Sequence, residues 1–169
     1  MLQKKIDKLP EWDLSDLYDA PESVLFNADL EQLKKSVHDF EAEYKKAILI
    51  KDAPIGENVK RLKKSIVSYE KILNSMGKLS GYATLHHVTA TNDPGRTKFY
   101  GDTQVKITEI SNKIIFYELE LNSLSEKVLE NLLNDKELAA YKAWFENIRK
   151  YKPHQLSDEV EQIFHDKSM

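Results

Sequence analysis

The longest regular pattern of hydrophobic positions in this chain runs from Pro94 to Leu124. Its positions recur at steps of three or four, the spacing that places side chains on one face of an α-helix. They are Phe99, Thr103, Ile107, Ile110, Ile114, Tyr117, Leu121 and Leu124, widened by Ile115, Phe116 and Leu119. A helix of this length would extend about 46 Å at about 1.5 Å per residue. The pattern predicts a long central helix on which shorter helices pack.

Two similar stripes precede this central helix. The first predicts a helix from Asp29 that ends before Pro54, because a proline pushes the residue before it out of the helical region. Its positions are Leu30, Leu33, Val37, Phe40, Tyr44 and Ala47. The second stripe consists of Val59, Leu62, Ile66, Tyr69, Leu73 and Met76. The short connection through Pro54 and Gly56 predicts that the two helices form an antiparallel hairpin.

Gly77 and Gly81 interrupt the second stripe, while apolar residues continue it beyond them. The glycines are compatible with a kinked helix, with two separate helices, or with a close contact between helices at this point. We favour one long bent helix that extends to about Thr89.

Residues 1–28 at the amino terminus are predicted to form an irregular segment, since Pro10 and Pro21 disfavour a helix there. A short turn near Leu17 would be too short to be stable alone, so we expect Trp12 and Leu17 to dock the segment against the rest of the chain.

Three shorter helices are predicted after the central one. Ser125 is a suitable cap for a helix over 126–133, Asp135 for a helix from Lys136 to about Lys150, and Ser157 for a last helix. No stretch shows the strict alternation of a β-strand. The predicted fold class is all-α, with an antiparallel helical hairpin packed with a long central helix and shorter carboxy-terminal helices.

Composition narrows the classes of function. The 169 residues carry 25 basic and 28 acidic side chains, a net charge of −3, which argues against a nucleic-acid or membrane partner. There is no cysteine, so disulfides, cysteine zinc sites and thiol nucleophiles are excluded. No apolar run approaches the length of a membrane span. These features predict a soluble, cytoplasmic protein.

The sequence contains no complete catalytic motif. His86 and His87 are adjacent, so on a helix their rings point about 100° apart and cannot both face one metal ion. Glu118 and Glu120 also face different directions, which favours a solvated or structural role. The basic residues around Arg149 are most simply explained by the dipole at a helix carboxy terminus.

Several segments in order along the chain resemble the oligoendopeptidase F family, zinc metallopeptidases related to thimet oligopeptidase. Leu9–Tyr18 is similar to the opening signature of that family. The other similar segments are Ser80–Leu85 with Asn92–Pro94, Phe116–Leu121, and Pro153–Glu161.

The resemblance implies hydrolysis of internal bonds in short peptides by a zinc ion, held by a His-Glu-x-x-His helix and a further glutamate. This sequence reaches Met169 without such a motif. The implied zinc therefore belongs to a missing carboxy-terminal catalytic domain, and no catalytic, cofactor or metal residue is assigned to this chain, which is expected to be inactive alone. We expect residues 1–28 to be a docked segment, 29–152 a helical amino-terminal lobe, and 153–169 the start of the connection.

By the same resemblance, the lobe would wall one side of a channel for short peptide substrates. Tyr82, His86 and His87 are predicted channel residues from their polar and aromatic character. An absent partner domain would leave apolar surface bare, so we also expect the isolated chain to self-associate. The alternative is a stand-alone helical module that binds a peptide or a partner helix without cleaving it.

Overall fold

The computed structural model describes residues 12–168, and within them the chain forms helices and no strand. This confirms the all-α fold class. The α-helices are α1 (Val24–Tyr44), α2 (Ile55–Val88), α3 (Pro94–Asn112), α4 (Ile115–Ser123), α5 (Glu126–Leu133), α6 (Lys142–Tyr151) and α7 (Asp158–Ser168), with short 3₁₀ segments at Ala139–Tyr141 and Lys152–His154.

Helices α1 and α2 form the predicted antiparallel hairpin. Asp29 at the start of α1 pairs with Lys78 late in α2, and Arg61 early in α2 reaches the end of α1. The predicted stripes supply five of the six buried positions on α1 and four of the nine on α2. On α2, however, Ile72 is buried and Leu73 exposed. The later buried positions Ile72, Leu79 and Ala83 share a neighbouring face of α2, so the core does not follow the predicted stripe to the end of the helix.

Both ends of α1 differ from the prediction. The helix begins at Val24 rather than Asp29, because the Ser23 hydroxyl accepts a hydrogen bond from the Phe26 amide. It ends at Tyr44, about ten residues before Pro54, where Lys46 adopts a left-handed backbone with φ of 61°. Beyond this turn Ala47 is exposed and Ile48 is buried instead.

Helix α2 extends unbroken through Gly77 and Gly81 and ends at Val88, one residue from the predicted end. A Cβ atom added at either glycine would meet nothing within 4 Å. The alternative that these glycines permit a close contact between helices is therefore wrong.

The predicted long central helix is present as two helices, α3 and α4, separated by a two-residue turn, rather than as one unbroken rod. Lys113 and Ile114 donate to carbonyls three residues back rather than four, which tightens the backbone at the division. Just before it, the Ser111 hydroxyl donates to the Thr108 carbonyl. The apolar stripe nevertheless continues across the division, since Ile110, Ile114 and Tyr117 are all buried.

At the carboxy-terminal side, Ser125 caps α5 as predicted. The next helix begins at Lys142 rather than Lys136. The Asp135 carboxylate accepts from the Glu137 amide, but the chain then forms a turn and a 3₁₀ segment before α6. Helix α7 follows Ser157, close to its predicted start.

The described part of the amino-terminal segment, from Trp12 onward, packs on the core mainly through Tyr18, which the prediction did not select. Trp12 is 68% exposed, whereas Tyr18 is 1% exposed and Leu17 packs against the core only in part. Pro10 and the first eleven residues lie outside the described range. None of the helices within residues 12–168 combines the length and the hydrophobicity that crossing a membrane requires.

Candidate functional site

Tyr82 and His86 lie one turn apart on α2, facing the segment that precedes α1. The Tyr82 ring is 2% exposed and packs edge-on against Tyr18 and Phe99, at centroid distances of 5.1 and 6.1 Å. The His86 imidazole stacks on Tyr82 at 5.8 Å. Burial, and after it the charge of Arg96, lowers the pKa of His86, so its ring is neutral at neutral pH.

His87 points to a different neighbour. Its ring stacks on Tyr100 of α3 at 5.1 Å, and its Nδ1 atom is buried without a hydrogen-bond partner. The structure therefore brings Tyr82 and His86 together and leaves His87 apart from them, in agreement with the expected divergence of the two histidine rings.

Arg96 is a further polar residue at this place, and the sequence analysis did not select it. Its Nη1 atom donates to the Thr89 hydroxyl and, at 3.3 Å, to the carbonyl oxygen of His86. Arg96 is carried there by the start of α3, where the Asp93 carboxylate accepts from the Gly95 and Arg96 amides. The Asp93-Pro94 start was visible in the sequence, so the position of Arg96 one turn into the helix could have been noted.

These residues border a cleft of about 220 Å³, which we call the amino-terminal cleft. One wall is the chain from Trp12 to Pro21, and the other comprises Tyr82, His86, Thr89 and Arg96. The cleft is mixed in character, with aromatic rings, one guanidinium group and the carboxylates of Asp13 and Asp19.

A larger groove, of about 1130 Å³, lies between α4, α6 and α7; we call it the carboxy-terminal groove. Its apolar lining includes Leu119, Trp144 and Phe164. Glu118 also lines it and accepts a hydrogen bond from the Tyr69 hydroxyl at 3.2 Å. Burial, followed by the Glu118 charge, raises the pKa of Tyr69, which keeps that hydroxyl protonated.

Glu120 has a different role from Glu118. Its carboxylate accepts from the backbone amide of Lys46 at 2.8 and 3.0 Å. The two glutamates thus make separate contacts, in agreement with the expected divergence of their directions on the helix.

The basic residues near the end of α6 also act structurally, although not on the helix that carries them. Arg149 donates to the carbonyl oxygens of Asn122 and Leu124, both at 2.7 Å, and Lys152 reaches Leu124 as well. These carbonyls lie at the carboxy terminus of α4, so the side chains stabilise that helix end rather than their own.

Neither site contains a recognisable set of zinc ligands among its described side chains. Among the side chains described by the structure, no three histidines, aspartates or glutamates lie close enough to hold a metal.

The segment that builds most of the carboxy-terminal groove is similar to a known protein family. The family model described as Oligopeptidase F matches residues 120–169. Over 161 residues, 95% of this chain, the sequence is 26% identical to the Oligoendopeptidase F homolog of Borreliella burgdorferi. These matches support an amino-terminal domain of the oligoendopeptidase F family.

The chain spans about a quarter of the length of that Borreliella relative, since the match covers 25% of it. No solved structure matches this chain. The matched residues 120–169 include the end of α4, all of α5 to α7 and most of the lining of the carboxy-terminal groove.

Proposed function

We propose that this chain is the helical amino-terminal lobe of a zinc metalloendopeptidase that hydrolyses short peptides. The observation that carries the proposal is the pair of family matches, one over residues 120–169 and one over nearly the whole chain. The catalytic zinc and its ligands would belong to a carboxy-terminal catalytic domain, and this chain alone would be inactive. The expected cytoplasmic location and the division at residues 28 and 152 remain predictions.

In this proposal the lobe shapes one wall of the peptide channel. Tyr82, His86 and His87 remain the predicted channel residues. The proposal is best supported for His86, because its ring lines the amino-terminal cleft beside Arg96. The ring of Tyr82 is covered by Tyr18, and that of His87 by Tyr100.

The first experiment is the size of the native polypeptide in source cells, detected with an antibody against this domain. A band far above 19.6 kDa is expected. That larger protein should cleave a fluorogenic short peptide, lose activity to a zinc chelator and regain it with added zinc, while the 169-residue chain cleaves nothing. A single band near 19.6 kDa would contradict the proposal.

A second experiment tests the channel role in the larger protein. His86→Ala should raise KM for short peptides several-fold with a smaller effect on kcat, since a wall residue contributes to binding rather than to bond cleavage. His38→Ala is the matched control, because His38 is exposed on α1 and lines neither the amino-terminal cleft nor the carboxy-terminal groove. Equal kinetics for the two variants would remove His86 from the channel.

The alternative function is a helical module that binds a peptide or a partner helix without cleaving it. The carboxy-terminal groove favours it, because an apolar groove between helices is a common docking place for an amphipathic helix. A native chain of 19.6 kDa that binds a partner would support this alternative.

A further inference from the structure

The predicted channel residue Tyr82 is covered by part of its own chain. Residues 12–21, which we call the strap, cross in front of it, and Tyr18 of the strap places its ring 5.1 Å from the Tyr82 ring. With 2% of its surface exposed, Tyr82 has almost no area left for a ligand. Tyr82 can therefore contact a peptide only after the strap has moved away from its ring.

One polar cluster fastens the strap to the hairpin. The Tyr18 hydroxyl donates to Asp29 of α1 at 2.7 Å, and Lys78 of α2 donates to the same carboxylate oxygen at 2.9 Å. The Lys78 ammonium also lies 4.4 Å from the centre of the Tyr18 ring, in cation–π contact. A single aromatic side chain thus connects the strap to both helices.

The rest of the strap is less buried than Tyr18: Leu14 and Leu17 pack against the core in part, and the other strap residues are exposed. The amino-terminal cleft of about 220 Å³ separates part of it from His86, Thr89 and Arg96. Its internal hydrogen bonds, such as those from the Leu17 and Tyr18 amides to the Leu14 carbonyl, form one turn that is too short to persist alone. Directly after the strap, Glu22 has a left-handed backbone with φ of 56°. Few packed contacts and a short local turn are features of segments that open locally.

We infer that residues 12–21 are a movable strap over Tyr82 and His86, and that the Tyr18–Asp29–Lys78 cluster determines whether it is closed. Opening exposes the Tyr82 ring and joins it to the cleft beside Arg96. As a control of peptide access, this inference rests on the proposed function. The opening of the strap does not depend on the proposed function, and it can be measured without any peptide.

Hydrogen exchange of the 169-residue chain tests the opening. Lys78→Met keeps the aliphatic stem and removes the charge, and Tyr18→Phe keeps the ring and removes the hydroxyl. Each should speed exchange of the backbone amides at positions 17 and 18 about tenfold, as expected for the loss of one charge-assisted hydrogen bond. Exchange in the middle of α2 should stay unchanged.

The matched control is Lys63→Met. Lys63 pairs with Glu137 at 3.1 Å, with 42% and 40% of the two side chains exposed, against 40% and 35% for Lys78 and Asp29. It should leave exchange in the strap unchanged. Equal exchange in Lys78→Met and Lys63→Met, or faster exchange throughout α2 and α3 in Lys78→Met, would overturn the inference.

Hydroxyl-radical footprinting gives a second readout at the covered ring. Oxidation of Tyr82 should increase several-fold in Lys78→Met and in Tyr18→Phe, but not in Lys63→Met. Unchanged oxidation of Tyr82 would show that the strap does not uncover it. Failure of the larger protein to cleave peptides would contradict the proposed function and leave these measurements intact.

Discussion

At the scale of single residues, the buried pair Ser65 and Tyr117 shows how the core satisfies polar groups. The Ser65 hydroxyl donates to the Leu62 carbonyl at 2.8 Å and lies 2.7 Å from the Tyr117 hydroxyl. A serine has one hydroxyl proton, so Tyr117 is the donor to Ser65. Burial raises the pKa of Tyr117, which keeps that proton in place.

This assignment predicts an asymmetry between two variants. Tyr117→Phe should lower the free energy of unfolding by about 1 kcal/mol, the usual net value of a hydrogen bond. Ser65→Ala should lower it further, by about 1–3 kcal/mol, because a buried phenol donor is left without an acceptor. Urea unfolding measures both. The double variant should lose less than the sum of the two, and simple additivity would contradict the coupling.

Single residues also show why part of the structure was not predictable. Glu120 bonds the Lys46 amide across 74 positions of sequence, and Arg149 bonds carbonyls 25 and 27 positions away. The residue types are visible in the sequence, but their partners are backbone groups that any residue carries. The periodicity of hydrophobic residues located most of the buried stripes. It could not indicate these contacts, because it carries no information about which backbone group a polar side chain will bind.

At the scale of elements, α2 carries two glycines that its packing does not require. An added Cβ at Gly77 or Gly81 meets nothing within 4 Å. Gly77→Ala and Gly81→Ala should each raise the free energy of unfolding by about 0.5–1 kcal/mol, since alanine restricts the unfolded chain and favours helix.

Thermal or urea unfolding would measure this gain. Gly95→Ala is the matched comparison, because its Cβ would lie 3.2 Å from the Asp93 carboxylate that caps α3. That variant should gain less or lose stability. A loss of stability in Gly77→Ala would mean that the glycine has a packing role after all.

The positions of the helices were largely predictable, whereas several of their ends were not. The division at Lys113 and Ile114 falls inside an uninterrupted apolar stripe, with no proline or glycine to mark it. The late start of α6 follows a suitable cap at Asp135. In both cases the local pattern favoured helix and the tertiary packing decided otherwise. For the candidate site, the sequence indicated Tyr82, His86 and a docked amino-terminal segment, but not that this segment covers Tyr82.

At the scale of the whole molecule, carboxylates whose pKa is lowered by folding link stability to pH. Hydrogen bonds from Lys78 and then Tyr18 lower the pKa of Asp29 below its ordinary 3.8. The folded state therefore binds fewer protons than the unfolded state in this range, and the stabilisation is present above pH 3.8 and lost as pH falls through the folded pKa.

Asp29→Asn should accordingly be less stable than the wild type at pH 7, and the two should converge as pH falls below about 3.8. Urea unfolding at a series of pH values measures the difference. Lys78→Met removes the main cause of the lowered pKa of Asp29. In this variant the free energy of unfolding should therefore change less with pH over the same range. A constant difference between Asp29→Asn and wild type at every pH would contradict this linkage.

The exposed apolar residues at the carboxy-terminal side bear on assembly. Tyr151, Leu156, Ile163 and Phe164 are large and exposed, and they fall within fourteen consecutive positions, 151–164. We expect the isolated chain to self-associate through this face, and Ile163→Asp with Phe164→Ser to reduce the association. Sedimentation equilibrium measures it, with Val105→Asp, at an exposed site on α3, as control. A monomer at all concentrations would contradict the prediction.

The bond between Glu120 and the Lys46 amide also constrains the order of events on the ribosome. The left-handed turn at Lys46 is made 74 residues before the carboxylate that holds it. At about 5–20 residues per second, synthesis of that interval takes roughly 4–15 s. Until then, this turn is held from within the hairpin by Arg61, which donates to the Glu43 and Ala47 carbonyls. The contact from Glu120 to the Lys46 amide is added when α4 has been made.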